Sequence, residues 1–140
     1  MLKNLLLINR ALRILFLSET CPGSVHDKRI ADTAPYPLPA GSQLRQDLGF
    51  QAFTLDGVDI IQPTKKPRGQ ELTRAQKAKN RRLARRRVRI EHVNSSVTRC
   101  RMLKETIRVW KAGIRDMVMD IGCALHNLRI RLTPSWAPMV

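Results

Sequence analysis

Arg81-Arg82-Leu83-Ala84-Arg85-Arg86-Arg87-Val88-Arg89-Ile90-Glu91-His92-Val93-Asn94-Ser95-Ser96-Val97-Thr98-Arg99-Cys100-Arg101 is the stretch on which the reading of this chain turns. Leu83, Ile90 and Val97 recur at sevens, and Ala84, Val88 and Val93 widen the apolar stripe, as in a helix with one face against a core. Upstream, Thr73 and Gln76 form a capping box that opens the helix. From Thr73 to about Arg101 it measures on the order of 40 Å at about 1.5 Å per residue. Arginines take the other faces. A single acid, Glu91, stands among them beside Ile90, which predicts a position at the edge of the buried stripe, pointing along a sheet surface.

The charge is concentrated around this helix. Of the net +15, residues 65–104 carry +13, with 15 basic and 2 acidic residues, while residues 1–64 balance at 6 of each. Because the arginines alternate with apolar residues, the block belongs to a fold and not to a charged tail. Nucleic acid is the leading partner; a solvated basic helix, or a surface for acidic protein or anionic lipid, is the alternative. Cys21, Cys100 and Cys123 are odd in number and widely spaced, which argues against a disulfide framework or a zinc site and fits a reducing cytoplasm. Asn9, Arg10 and Arg13 interrupt the apolar start, so neither a membrane span nor a signal peptide is expected there.

Around the long helix, 140 residues make about one domain. Leu2 to Ile8 and Ala11 to Ser18 read as adjacent strands with a turn at Asn9-Arg10, apolar enough to be covered on both faces. Ser24 and Asp27 suggest an acidic capping box for a helix over Val25 to Thr33. Pro35, Pro37 and Pro39 make an extended connector, Ser42 to Gln46 a short strand ending at Asp47, and Val58 to Gln62 another, stopped by Pro63. Thr64-Lys65-Lys66-Pro67-Arg68-Gly69 is a basic loop. A last helix begins between Ile107 and Asp116 and ends near Arg131, with Ile114, Met117, Val118, Ile121, Leu125 and Leu128 as its core stripe.

Asp47, at a strand end before a glycine turn, and Glu91, in the long helix, are the candidate site acids. Two such carboxylates can hold divalent metal against phosphate oxygens. Equally, Glu91 can pair with Arg87 or Ser95 one turn away; the residues alone leave both open. His26-Asp27 is read as a helix start, and His92 and His126 as local hydrogen-bonding or packing residues. Trp110 is expected to pack under the last helix.

Five stretches together resemble the C-terminal part of a DDE transposase of the insertion-sequence IS5 type. They are Pro22-Gly23-Ser24-Val25-His26-Asp27-Lys28-Arg29, Leu44-Arg45-Gln46-Asp47-Leu48-Gly49-Phe50, Lys65-Lys66-Pro67-Arg68-Gly69, Arg87-Val88-Arg89-Ile90-Glu91-His92, and Trp110-Lys111-Ala112-Gly113-Ile114-Arg115-Asp116 with Leu125-His126-Asn127. The resemblance implies an α/β, partial RNase H-like fold lacking the first central strand, with a long basic helix and a C-terminal amphipathic helix. It implies an incomplete endonuclease domain over residues 1–133 and a loose tail over 134–140. Asp47 and Glu91 fall on the family's second acidic ligand and its glutamate, with Mg²⁺ or Mn²⁺ as the metal once the site is completed. DNA is the implied partner, held by Lys65, Lys66, Arg68, Arg82, Arg86, Arg87, Arg89, Arg99, Arg101 and Lys104. The family's first aspartate has no counterpart, since Asp27 belongs to a helix start and Asp56 and Asp59 follow a later strand. An upstream transposase segment or a full-length transposase is therefore the expected second partner, and the chain alone is expected to bind DNA and cut poorly.

Overall fold

The computed structural model describes residues 2–99 and 113–133. It is α/β, and the chain divides into two compact units, Met1–Pro22 with Arg89–Val140, and Gly23–Val88. The strands form three two-stranded sheets among the described residues.

In the first unit, β2 (Leu6–Ile8) and β3 (Ile14–Leu17) make an antiparallel hairpin with Leu6 opposite Leu17 and a register shift between Leu7 and Ile8. The turn is tight. Asn9 donates its N–H to the Arg13 carbonyl and accepts the N–H groups of Leu12, at its carbonyl, and of Arg13, at its side chain. Leu12 takes φ 62° at this bend and is 2% exposed. A left-handed leucine is costly for an L residue, and burial of its side chain offsets that cost. A second short antiparallel pair, absent from the sequence reading, joins β1 (Leu2–Lys3) to β4 (Cys21–Pro22).

Helix α3 (Ile114–Leu132) packs on this hairpin. Leu12, Ile14, Val93, Val97, Cys123 and Ile130 form the core, with Leu6, Ile8, Leu17 and Met119 packed against it. Polar groups set the helix orientation. Nε2 of His126, 1% exposed, lies 2.8 Å from the Leu12 carbonyl oxygen. The Asn127 amide accepts from the Ile14 N–H and donates to the Ile14 carbonyl, both at 2.9 Å, so one side chain stands in for a neighbouring strand at that residue. Near the helix start, Asp116 accepts the Thr20 N–H at 2.7 Å.

These contacts overturn most of the expected core stripe of the last helix, of which Val118 alone is buried. Val118, Gly122, Cys123, His126 and Ile130 face inward, while Met117, Ile121, Leu125 and Leu128 are about half exposed. The hydrogen-bonding face of α3 serves hairpin backbone that would otherwise lose its partners, and the apolar stripe turns to solvent. Leu15 of β3 is 49% exposed, so the strand is not covered on both faces as its composition suggested. Trp110 lies outside the described residues.

Helix α2 (Arg74–Val97) opens on the expected capping box, with the Thr73 N–H donated to Gln76 and the Gln76 N–H to Thr73. The assigned helix ends at Val97, short of Arg101; the Thr98 hydroxyl donates to the carbonyls of Asn94 and Ser95. Its apolar heptads are not one buried seam. Val93 and Val97 are buried, whereas Val88 and Ile90 are 46% and 40% exposed. The reason is length: 24 residues extend about 36 Å, whereas a four-residue strand covers about 13 Å.

In the second unit, β5 (Gln43–Arg45) and β6 (Asp59–Ile61) pair in parallel, with Leu44 opposite Ile60. Helix α1 (Asp27–Thr33) is N-capped by His26, whose side chain makes no capping hydrogen bond, so Ser24 does not form the expected box. Instead α1 rests on a 3-10 turn over Leu48–Phe50. The absence of a side chain at Gly49 admits the Asp27 carboxylate, which would lie 3.1 Å from a Cβ there.

Two outcomes are expected from the first unit. Asn127→Ala strands both polar groups of Ile14 and should lower unfolding free energy by about 1–3 kcal/mol in urea titrations; an unchanged midpoint contradicts the strand-substitute role. Burial, with the Asp120 charge second, pushes the Cys123 thiol up to about 11. In a chain whose Cys21 and Cys100 are replaced by serine, maleimide should label native Cys123 at least about tenfold more slowly than the urea-unfolded chain at neutral pH.

Candidate nucleic-acid interface and its acidic residues

Asp47 follows the β5–β6 pair directly. The parallel ladder runs one residue past β5, through the Gln46 N–H to the Ile61 carbonyl, and the chain then bends into the 3-10 turn. Amide side chains hold the bend. Gln46 donates to the carbonyls of Phe50 and Phe53, and Gln62 donates to the Asp47 carbonyl at 3.1 Å. Phe53, 5% exposed, anchors the loop and meets Tyr36 edge to face at 5.6 Å between ring centres. Burial, with the Asp32 charge second, raises the pKa of the Tyr36 hydroxyl.

The Asp47 carboxylate has two partners. Oδ1 accepts the Leu48 N–H at 2.8 Å, capping the turn, and Oδ2 lies 2.9 Å from the Arg87 guanidinium. The side chains of Asp47 and Arg87 are 43% and 57% exposed, so the pair adds little stability. It points the Arg87 guanidinium toward the loop after β5. Arg87 was the residue that an ordinary helix ion pair would have given to Glu91; its recorded ion pair is with Asp47.

The basic loop is stitched to α2 at both ends. Asn80 accepts the Thr64 N–H and donates to the Thr64 carbonyl, each at 2.9 Å, repeating the bidentate device of Asn127. At the far end Glu71 lies 2.6 Å from Lys66 and 2.9 Å from Lys77. These two ammonium groups, Lys66 first, hold the Glu71 carboxyl below its usual range. Lys65 reaches Gln51 at 3.4 Å, and Gly69 supplies the left-handed residue of the loop at φ +74°. Asn80, Glu71 and Lys77 were not singled out in the sequence; the lone acid in a basic run was the available signal.

Lys65, Lys66 and Arg68 are exposed on this loop, as are Arg82, Arg86 and Arg87 on α2, all in the second unit. Arg82 and Arg86, one turn apart, share a helix face, and Arg87 lies on another. In the first unit Arg89 is half-buried and Arg99 exposed; Arg101 and Lys104 lie outside the described residues.

Glu91 also belongs to the first unit by sequence and is exposed. At about 100° per residue it lies roughly 120–160° around the helix from the buried Val93, Ser96 and Val97. It therefore stands away from the buried face and not at its edge, correcting the sequence expectation. No ion pair to Glu91 is found among the described residues. His92 is exposed beside it, and His126 serves the hairpin.

Among the described residues no three His, Cys, Asp or Glu side chains come together as a metal cage. The donor chemistry of Asp47 and Glu91 still suits Mg²⁺, which takes one or two carboxylates and keeps several waters. Both carboxylates are open to solvent. No helix among the described residues is long and apolar enough to cross a membrane.

Comparison with known proteins places the chain in a family. Over a stretch of 72 residues the chain is 36% identical to a probable transposase for insertion sequence element IS702 from Microchaete diplosiphon. That stretch is 51% of this chain and 26% of the relative, so the chain spans about a quarter of the length of the curated protein it matches. No solved structure matches. The family model described as DDE superfamily endonuclease matches residues 1–127, a span that includes Asp47, the basic loop, Glu91 and the His126-Asn127 clamp, and the chain belongs to that family.

Proposed function

We propose that this chain is the C-terminal part of a DDE transposase, acting in metal-dependent cutting and joining of DNA. The observation that carries the reading is the family match across residues 1–127, which takes in Asp47 and Glu91 together with the basic surface. On this reading residues 1–133 belong to an RNase H-like domain, and Asp47 and Glu91 are two of its three acidic ligands. The third comes from outside these residues, in an upstream segment or a second polypeptide. Mg²⁺ or Mn²⁺, when bound, supplies positive charge against a phosphate oxygen and a water acidic enough to act as nucleophile.

The remaining work falls to the chain's own side chains. Lys65 and Arg68, on a loop held by Asn80 and Glu71, meet DNA phosphates, and Arg82 and Arg86 extend the contact along α2. Such contacts position a duplex without reading its sequence. Asp47 accepts from Gln62 at its carbonyl and meets the Leu48 N–H and Arg87 with its carboxylate, so an arriving ion competes with Arg87 for Oδ2. The same satisfied carboxylate favours a second reading, a non-enzymatic basic nucleic-acid-binding protein in which Asp47 only shapes its loop.

Two measurements test these readings, the first the DNA-binding surface that both share and the second the chemistry that separates them. DNA affinity should fall steeply with salt, and Arg82→Ala with Arg86→Ala should shallow the log–log slope by about 1.8, at about 0.9 per phosphate contact. Asn80→Ala should weaken binding less, by freeing the loop. An unchanged slope removes α2 from the interface. The second assay measures Mn²⁺-dependent nicking by the chain joined to the segment encoded upstream of Met1. Glu91→Gln and Asp47→Asn should each lower nicking more than about a hundredfold, because even outer partners of metal ligands are worth 10–100-fold. Nicking that survives Glu91→Gln excludes Glu91, and tight binding without nicking in every combination supports the second reading.

A further inference from the structure

Turning its hydrogen-bonding face to the hairpin leaves α3 with a second face in water. Met117, Ile121, Leu125, Leu128 and Leu132 are 54, 52, 46, 50 and 71% exposed. Their spacing of 4, 4, 3 and 4 residues puts them on one side of the helix, in a strip about 22 Å long. Leu15 of β3, 49% exposed, extends the patch across an open groove of about 570 Å³ between β3 and α3, whose walls include Arg13, Ala124, Leu128 and Arg131. A contiguous apolar surface of this kind marks an interaction site.

Charge along the strip selects the occupant. At about 100° per residue Asp120, Ala124 and Arg131 share one flank, with the acid toward the helix start and the arginine toward its end. No ion pair to Asp120, Arg13 or Arg131 is found among the described residues. We propose that this face docks a second copy of the chain, α3 against α3, antiparallel about a two-fold axis near Leu125. In such a pair like flanks face each other, and Asp120 of each copy meets Arg131 of the other, with Arg13 on the groove wall beside it. The apolar register agrees: Met117 opposes Leu132, Ile121 opposes Leu128, and Leu125 meets itself. A parallel pair sets Asp120 level with Val118 and leaves the arginines unmatched.

The contact is isologous, so it closes at two copies. It uses only residues of the first unit and is independent of the catalytic reading above. One helix and a groove rim make an interface at the small end of the range for specific complexes, and the dimer is expected to be weak, with a dissociation constant of about 1–100 µM.

Sedimentation velocity on the full chain at fixed salt tests it. The wild-type chain should pass from monomer to dimer over that concentration range. Asp120→Arg and Arg131→Asp alone should each weaken the dimer at least about tenfold, and the double exchange should restore it, since each copy then offers the opposite pair. Leu125→Asp should give monomer with unchanged helical circular dichroism, which separates lost docking from lost folding. A chain that stays monomeric throughout, a dimer indifferent to Leu125→Asp, or a double exchange that fails to rescue would each overturn the proposal. Association only with added DNA, or with another protein in place of a second copy, overturns it as well.

Discussion

The contact between the end of α3 and the β2–β3 hairpin governs the first unit. The hairpin is short, its turn passes through a left-handed leucine, and the Ile14 backbone is served by a side chain. His126 and Asn127 close those valences. Burying backbone polar groups without partners costs more than exposing a few leucines. That inequality fixes the rotation of α3, and with it both the core around Leu12, Val93 and Cys123 and the apolar strip left outside.

The second unit uses the same chemistry for a different purpose. Asn80 grips Thr64 as Asn127 grips Ile14, yet what it holds is a loop of exposed cations. A basic loop repels itself, and Glu71 between Lys66 and Lys77 offsets part of that repulsion where the loop meets α2. Being exposed, those pairs hold geometry more than they add stability. The result is a positive surface with a defined shape.

Much of this was legible beforehand in particular residues. The Thr73–Gln76 box marked the start of α2, Pro63 marked where β6 stops, and the charge count isolated the basic block. Asp47 stood out at a strand end, and the structure puts it two residues beyond β5. The faces of the helices were not legible in the same way. Apolar periodicity predicts that an apolar stripe is buried, but it is blind to a hydrogen-bonding face that competes for the same neighbour. Ser24 misled for a related reason: capping spacing is local, whereas α1 takes its place by resting on the 3-10 turn beside Gly49.

By itself, the sequence determined the order of the main strands and helices, apart from the short β1–β4 pair, the block of positive charge, and the family to which the chain belongs. Local propensity, charge and chain order need no partner in space. Only the tertiary structure decided that Arg87 goes to Asp47, that Glu91 stands away from the buried face of α2, and that the leucines of α3 face water. Each of those outcomes depends on backbone groups and side chains far apart in sequence finding partners, and only the folded chain brings them within hydrogen-bonding distance.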